Sequence, residues 1–192
     1  MNKPEMRRAM LGLLGAMSPV DLANRSAKVA RRLQETDAWT WMDTLLCFLS
    51  MRREIGTQPI LRAARAARKP VAVPRIEEDD IRFLVMPPGA RTPPRDRWGI
   101  PAPDPSWPVL DIARAGRILV AAPGLAFDRS GNRLGRGKGF YDRFLSRARA
   151  AGARLVVIGI CFSDQLLDEV PSAETDETVD GVVTEAETLL IH

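Results

Sequence analysis

The chain has 192 residues, 45% of them apolar and 27% charged, which excludes a disordered tail and gives enough material for a buried core. Two cysteines are too few for a disulfide scaffold, and no apolar run approaches the length of a membrane span. The net charge of +4 suits anionic partners, yet the 28 lysines and arginines are spread along the chain, so nucleic acid is not demanded.

The start, Met1-Asn-Lys-Pro-Glu5, is polar and lacks a signal-peptide core, so the expected compartment is the cytoplasm. Met6, Met10, Leu13 and Met17 keep helical spacing and predict a helix over 3–17. Lys3 and Arg7 stand four apart on it, either as a solvated face or as a pair converging on one anion. Ser18-Pro19-Val20-Asp21 is a helix start, with Leu22, Val29 and Leu33 continuing the pattern. Residues 45–49 read as a buried strand, followed by Glu54, a plain strand-end charge or a buried carboxylate that accepts hydrogen bonds. A helix over 57–68 ends at Lys69-Pro70, and short strands follow over 71–74 and 81–85.

Residues 87–108 hold eight of the fifteen prolines and read as a stiff exposed loop. Its Trp98 and Trp107 either pin the loop to the body or offer a ligand platform. Residues 116–122 form the next strand, ending at Pro123-Gly124. Tyr141, Phe144, Leu145 and Ala148 predict a helix over 141–151, and 154–162 a buried strand. A helical turn over 164–169, a strand over 181–184 and a short helical tail complete the reading. Cys47 and Cys161 fall in apolar runs and are expected as buried, reduced thiols. The single histidine, His192, all but excludes histidine-based catalysis; any metal is a hard cation on carboxylates and phosphates. Strands alternating with helices predict an α/β fold with a mostly parallel sheet covered on both faces, in one domain over 1–192.

The most informative segment is Arg133-Leu-Gly-Arg-Gly-Lys-Gly-Phe-Tyr-Asp-Arg143. Gly135, Gly137 and Gly139 alternate with Arg136 and Lys138, just ahead of a helix. Such a turn brings backbone N–H groups, a positive helix end and two cations to one place, which suits a phosphate. The spacing matches neither a Walker loop nor the dinucleotide fingerprint. Between a strand and a helix, it falls where anion sites of parallel sheets lie, beyond the strands' carboxyl ends. Asp142, in the first helical turn, is either a partner of the helix dipole or a magnesium ligand. Asp176, in the acidic run 174–177, reads as a solvated face.

Taken together, several segments resemble the 5-formyltetrahydrofolate cyclo-ligase family, also called methenyltetrahydrofolate synthetases. They are Pro123-Gly-Leu-Ala-Phe-Asp128 with 131–143, Leu49-Ser-Met-Arg-Arg-Glu54-Ile-Gly-Thr57, Val73-Pro-Arg75, Trp98-Gly-Ile-Pro-Ala-Pro103, residues 165–176, Val183-Thr-Glu185, and the pair Lys3 and Arg7. The resemblance implies a three-layer α/β/α sandwich of the type shared with sugar-phosphate isomerases and coenzyme A transferases. It also implies an ATP- and Mg²⁺-dependent closure of 5-formyltetrahydrofolate, with or without a polyglutamate tail, to 5,10-methenyltetrahydrofolate. A monomer or weak homodimer is expected, without nucleic acid or membrane as partner.

By the same resemblance, ATP is expected on Lys3, Arg7, Arg133, Leu134, Gly135, Arg136, Gly137, Lys138, Gly139, Phe140 and Tyr141. Folate is expected on Arg7, Leu49, Met51, Glu54, Trp98, Arg136 and Phe140, and Mg²⁺ on Asp142 and Asp176. Arg136 and Lys138 are expected to stabilise the transferring phosphoryl group; Tyr141 closes the pocket or packs in the core. Phe140 stands where tyrosine is commoner, and Arg52 and Arg53 where many members are neutral or acidic. The rival readings are a nucleic-acid module, for which one tyrosine and few exposed aromatics make a poor stacking platform, an ATP-independent sugar-phosphate isomerase, and a catalytically silent folate binder.

Overall fold

A computed structural model describes residues 1–91, 93–94 and 101–191. Three helices come first: α1 (Lys3–Ala16), α2 (Pro19–Gln34) and the short α3 (Asp37–Trp41). Strand β1 (Thr44–Cys47), helix α4 (Gln58–Ala66) and strands β2 (Val71–Glu77) and β3 (Asp80–Val85) follow. Then come β4 (Arg117–Ala122), β5 (Ala126–Asp128), β6 (Arg133–Leu134), α5 (Phe140–Ala150), β7 (Arg154–Ile160), β8 (Leu166–Leu167), β9 (Gly181–Val183) and β10 (Thr188–Leu190).

Seven strands form the main sheet in the order β10-β9-β7-β4-β1-β2-β3. The five inner strands run parallel, and β3 and β10 close the edges antiparallel. Both faces are covered, which is why the central strands read as unbroken apolar runs. Alternate residues divide cleanly between the faces. Leu45, Cys47, Leu119, Ala121, Ile158 and Ile160 meet Val29, Leu33, Ile60 and Leu61 from α2 and α4. Leu46, Ile118, Val120, Ala122, Val157 and Cys161 face Phe144, Leu145 and Ala148 of α5. The two free thiols thus lie on opposite faces, and burial pushes both well above the usual thiol range. Among the described residues no helix is long and apolar enough to cross a membrane.

Local signals account for the helix starts. Asn2 accepts from the Glu5 N–H while Glu5 accepts from the Asn2 N–H, both at 3.0 Å, a reciprocal cap on α1. Ser18 accepts from the Asp21 N–H at 3.1 Å, with Pro19 opening α2.

Four expectations need correction. The predicted helical tail is strand β10: Thr188, Leu189 and Leu190 pair with Val183, Val182 and Gly181, giving the otherwise bare edge of β9 a partner. The predicted turn over 164–169 is a single 3₁₀ turn, Ser163–Gln165, that gives way to β8. Strand β2 continues through Pro74 to Glu77, because β1 pairs only as far as Ala72 and leaves the proline's missing N–H without a partner to lose. The strand expected over 45–49 stops at Cys47, and Phe48 and Leu49 turn away, still buried.

A second, three-stranded sheet, β6-β5-β8, had no sequence signal of its own. Its knot is the buried Asp128. One carboxylate oxygen accepts from the N–H groups of Ser130 and Asn132, each at 2.9 Å. The other accepts from the Asn132 side-chain amide and the Val170 N–H, also at 2.9 Å. One side chain therefore fixes the β5–β6 hairpin and ties it to the segment leading to Asp176.

Where the first and last parts of the chain meet, Arg25 pairs with Asp164 and Glu185 and lies over the Phe162 ring. Burial works to raise the Glu185 pKa, but hydrogen bonds from Ser163 and Arg25 outweigh it, and the carboxyl titrates below its ordinary value. A depressed carboxyl contributes stability above its unfolded pKa of about 4.3 and loses it as pH falls through the lower folded value. The melting temperature is therefore expected to fall more steeply below about pH 4.3 in the native protein than in Glu185→Gln, the difference being about 2–4 °C if the contribution is about 1 kcal/mol. Parallel melting curves for the two proteins between neutral and acid pH would remove Glu185 from this role.

Candidate active site

A cavity of about 980 Å³ opens beyond the carboxyl ends of β1, β2 and β4, where a parallel sheet offers its binding crevice. The N-terminal turns of α1 and α5 bring Lys3, Arg7 and the glycine segment to it. The chain after β1 brings Leu49, Met51 and Glu54, and the 170s bring Asp176. All the expected site residues among those described line this one space. Trp98 lies outside the described residues. Trp107 packs against the core, the pinning role.

The glycine segment is shaped by what surrounds it. Gly137 and Gly139 have φ of 97° and 65°, a region that other residues enter only at a cost. Gly139 is the N-terminal boundary residue of α5, and no side chain caps the helix, so its first N–H groups remain for a ligand. Arg7 donates from Nε to the Gly135 carbonyl at 2.9 Å, and a Cβ on Gly137 would sit 3.3 Å from the Arg7 guanidinium carbon. Helix α1 is thereby clamped onto the loop, and the i, i+4 pair does converge on the cavity.

Several charges of the site are paired. Arg136 donates to Glu54 Oε1 from Nε at 3.1 Å and Nη2 at 2.5 Å, while Glu54 Oε2 accepts from the Met51 N–H at 2.8 Å. Lys3 pairs with Asp176, which also accepts from the Ala173 N–H at 2.7 Å. Burial raises the Asp176 pKa, yet the Lys3 and Ala173 hydrogen bonds leave it below the ordinary carboxylate range. Arg133, its side chain only 4% exposed, donates to Asp142 Oδ1 at 2.7 Å and to the Pro123 carbonyl at 3.3 Å. Lys138 is exposed and has no ion-pair partner among the described residues. The expectation that Arg133 adds to the cationic field meets a guanidinium already engaged by Asp142.

Tyr141 stands between these charges and the core. Its ring packs edge-on to Phe83, with centroids 6.2 Å apart, and under the Arg133 guanidinium at 5.7 Å. The hydroxyl is buried with no hydrogen-bond partner among the described residues, and burial pushes its pKa far above the usual phenol value. Tyr141 thus carries a neutral hydroxyl, packs against the core through its ring and borders the cavity.

A model of the 5-formyltetrahydrofolate cyclo-ligase family matches residues 1–185. The chain belongs to this family. A Caenorhabditis elegans protein named "Probable 5-formyltetrahydrofolate cyclo-ligase" is 30% identical over 195 residues, 98% of this chain and 95% of that one. The mouse 5-formyltetrahydrofolate cyclo-ligase is 27% identical over 189 residues, 95% and 93% of the two chains. The solved structure of Aquifex aeolicus 5,10-methenyltetrahydrofolate synthetase superposes with a TM-score of 0.81 at 25% identity, covering 100% of this chain and 94% of that one. The chain is accordingly an enzyme of the cyclo-ligase family with that family's α/β fold, and the isomerase reading falls away.

The walls of this cavity in the cyclo-ligase family member also contain residues that periodicity did not single out. Buried Gln165 donates to the carbonyls of Gly124 and Leu125 at 3.1 and 3.0 Å and accepts from the Phe162 N–H at 3.0 Å. It holds the cavity wall after β4 in place. Arg75, in the second half of β2, donates to the Pro103 carbonyl at 2.6 Å and anchors the proline-rich segment. Their contacts with the cavity wall and the proline-rich segment are to backbone 28 to 41 residues away, which leaves no short-range signal. Arg52 and Arg53 line an adjoining recess of about 310 Å³.

The carboxylates fit a hard cation of the kind expected. Both hydrogen bonds to Asp142 land on Oδ1, and both to Asp176 land on Oδ2. Among the described residues the second oxygen of each accepts no hydrogen bond, and Asp142 accepts from the N–H of Glu177, the neighbour of Asp176. Among the described residues no three acidic, cysteine or histidine side chains gather into a cage. One or two carboxylates, completed by water and phosphate oxygens, is the usual protein share for Mg²⁺.

Proposed function

We propose that the protein converts 5-formyltetrahydrofolate to 5,10-methenyltetrahydrofolate with consumption of ATP and in the presence of Mg²⁺. The observation that carries this reading is a single cavity that holds an uncapped, cationic glycine turn on one side and, on the other, a carboxylate flanked by Leu49 and Met51. Its volume lies at the upper end of ligand pockets, as a site for two substrates requires.

The chemistry explains that pairing. A formamide carbonyl is a weak electrophile, and its oxygen cannot leave as oxide. Transfer of the γ-phosphoryl group to the formyl oxygen breaks the bond to the β-phosphate oxygen and releases ADP. The N10 lone pair then attacks the formyl carbon, the carbon–oxygen bond breaks, phosphate departs, and N10 gives up its proton. No protein nucleophile is needed; alignment and charge compensation are.

The N–H groups of the glycine turn and Lys138 receive the γ-phosphate, and Arg136 and Arg7 stand beside them. Leu49 and Met51 supply apolar surface, and Glu54 accepts from the amide and amino edge of the pterin. Tyr141 closes the cavity against the core. Asp142 and Asp176 hold Mg²⁺, which when bound neutralises phosphate charge.

The test is direct. Purified protein incubated with 5-formyltetrahydrofolate, ATP and Mg²⁺ is expected to produce methenyl absorbance and ADP in equal amounts, and both stop on chelation. ADP without methenyl product, or neither, would refute the reading.

A further inference from the structure

Glu54 and Arg136 belong to opposite halves of the site, yet here they hold one another. Arg136 grips Glu54 Oε1 with two donors, at 3.1 and 2.5 Å. The Glu54 side chain is 14% exposed and anchored through its other oxygen to the Met51 N–H, whereas the Arg136 side chain is 43% exposed. Arg136 also sits between Gly135 and Gly137, on a backbone free to redirect it. The acid is the fixed partner and the cation the movable one.

A pterin edge presents two adjacent donors and requires the carboxylate oxygen that Arg136 occupies. From this we infer that Glu54 acts as a positioning residue for Arg136, keeping its charge from the phosphates until the pterin displaces it, so that folate and nucleotide binding are coupled by exchange of one ion pair. This rests on the proposed function and assigns it a binding preference. Without folate, Lys138 and the loop amides meet the nucleotide with Arg136 neutralised. With folate bound, Arg136 is released two residues from Lys138, where the transferring phosphoryl lies. Linkage requires the reverse effect as well, so nucleotide strengthens folate binding by the same factor.

The experiment is a calorimetric titration with the β,γ-imido analogue of ATP and Mg²⁺, with and without 5-formyltetrahydrofolate. It compares the native protein, Glu54→Gln, Arg136→Gln and the double variant. Glutamine at 54 retains an acceptor for the Met51 N–H. In the native protein folate is expected to tighten analogue binding about 3- to 10-fold, modest because Arg136 is partly solvated. Glu54→Gln is expected to show that gain without folate, and Arg136→Gln to show no folate effect. In the double variant the gain must vanish, which separates release of Arg136 from mere removal of a negative charge.

An analogue affinity in Glu54→Gln equal to or weaker than native overturns the coupling alone. So does a gain that survives in the double variant. If Glu54→Gln does not fold, a folate effect that persists in Arg136→Gln overturns it. No analogue binding by the native protein under either condition overturns the ATP reading itself, and the coupling with it.

Discussion

Lys138→Ala is expected to leave the protein folded and to lower kcat about 100-fold or more, as loss of a charge contact to a transferring phosphoryl group does. The side chain is exposed, bears no ion pair among the described residues and lines the cavity, so its removal disturbs no packing. A factor of 100 corresponds to about 2.7 kcal/mol of transition-state stabilisation. The melting temperature is expected to change by less than about 1 °C, since surface substitutions stay within about 0.5 kcal/mol. Single-turnover rates with the analogue-competent enzyme separate the contribution to chemistry from that to binding. A variant with native kcat places the γ-phosphate away from Lys138.

Arg133→Met is expected to act in the opposite way, on stability first. Arg133 lies two residues before the first glycine and looks from its type like another phosphate cation, but its side chain is 4% exposed and clasps Asp142 and the Pro123 carbonyl. Methionine fills similar volume and leaves Asp142 without its cation. Breaking a buried pair on one side costs about 3–5 kcal/mol, here toward the lower figure because Asp142 is 19% exposed. For a chain of this length that is a fall of roughly 6–12 °C in melting temperature. Activity is expected to fall too, through Asp142 and the start of α5. A variant that melts as the native protein does while losing nucleotide affinity would make Arg133 a ligand and not a strut.

Lys138 and Arg133 stand in the same short motif and cannot be told apart by residue type. Their difference is burial, decided by the β5–β6 hairpin that Asp128 organises and by the packing of Tyr141 over Phe83. The pattern around 133–143 marked a candidate phosphate site because glycines, cations and a helix start within a few residues are a local arrangement. The pairing of Arg136 with Glu54, 82 residues away, is a contact that no spacing rule carries.

The sequence by itself determined the alternation of strands and helices, the parallel character of the sheet and the glycine turn at the start of a helix. Each follows from hydrophobic period, proline and glycine, which act within a few residues of one another. Tertiary structure alone decided that residues 188–190 form an edge strand and not a helix, because the bare edge of β9 supplies hydrogen bonds that local preference does not foresee. It also decided which cations are free and which are clasped, because ion pairing depends on distances set by the assembled sheet. The family motif named the residues expected at the site, and the fold gathers those described around one cavity and assigns their partners.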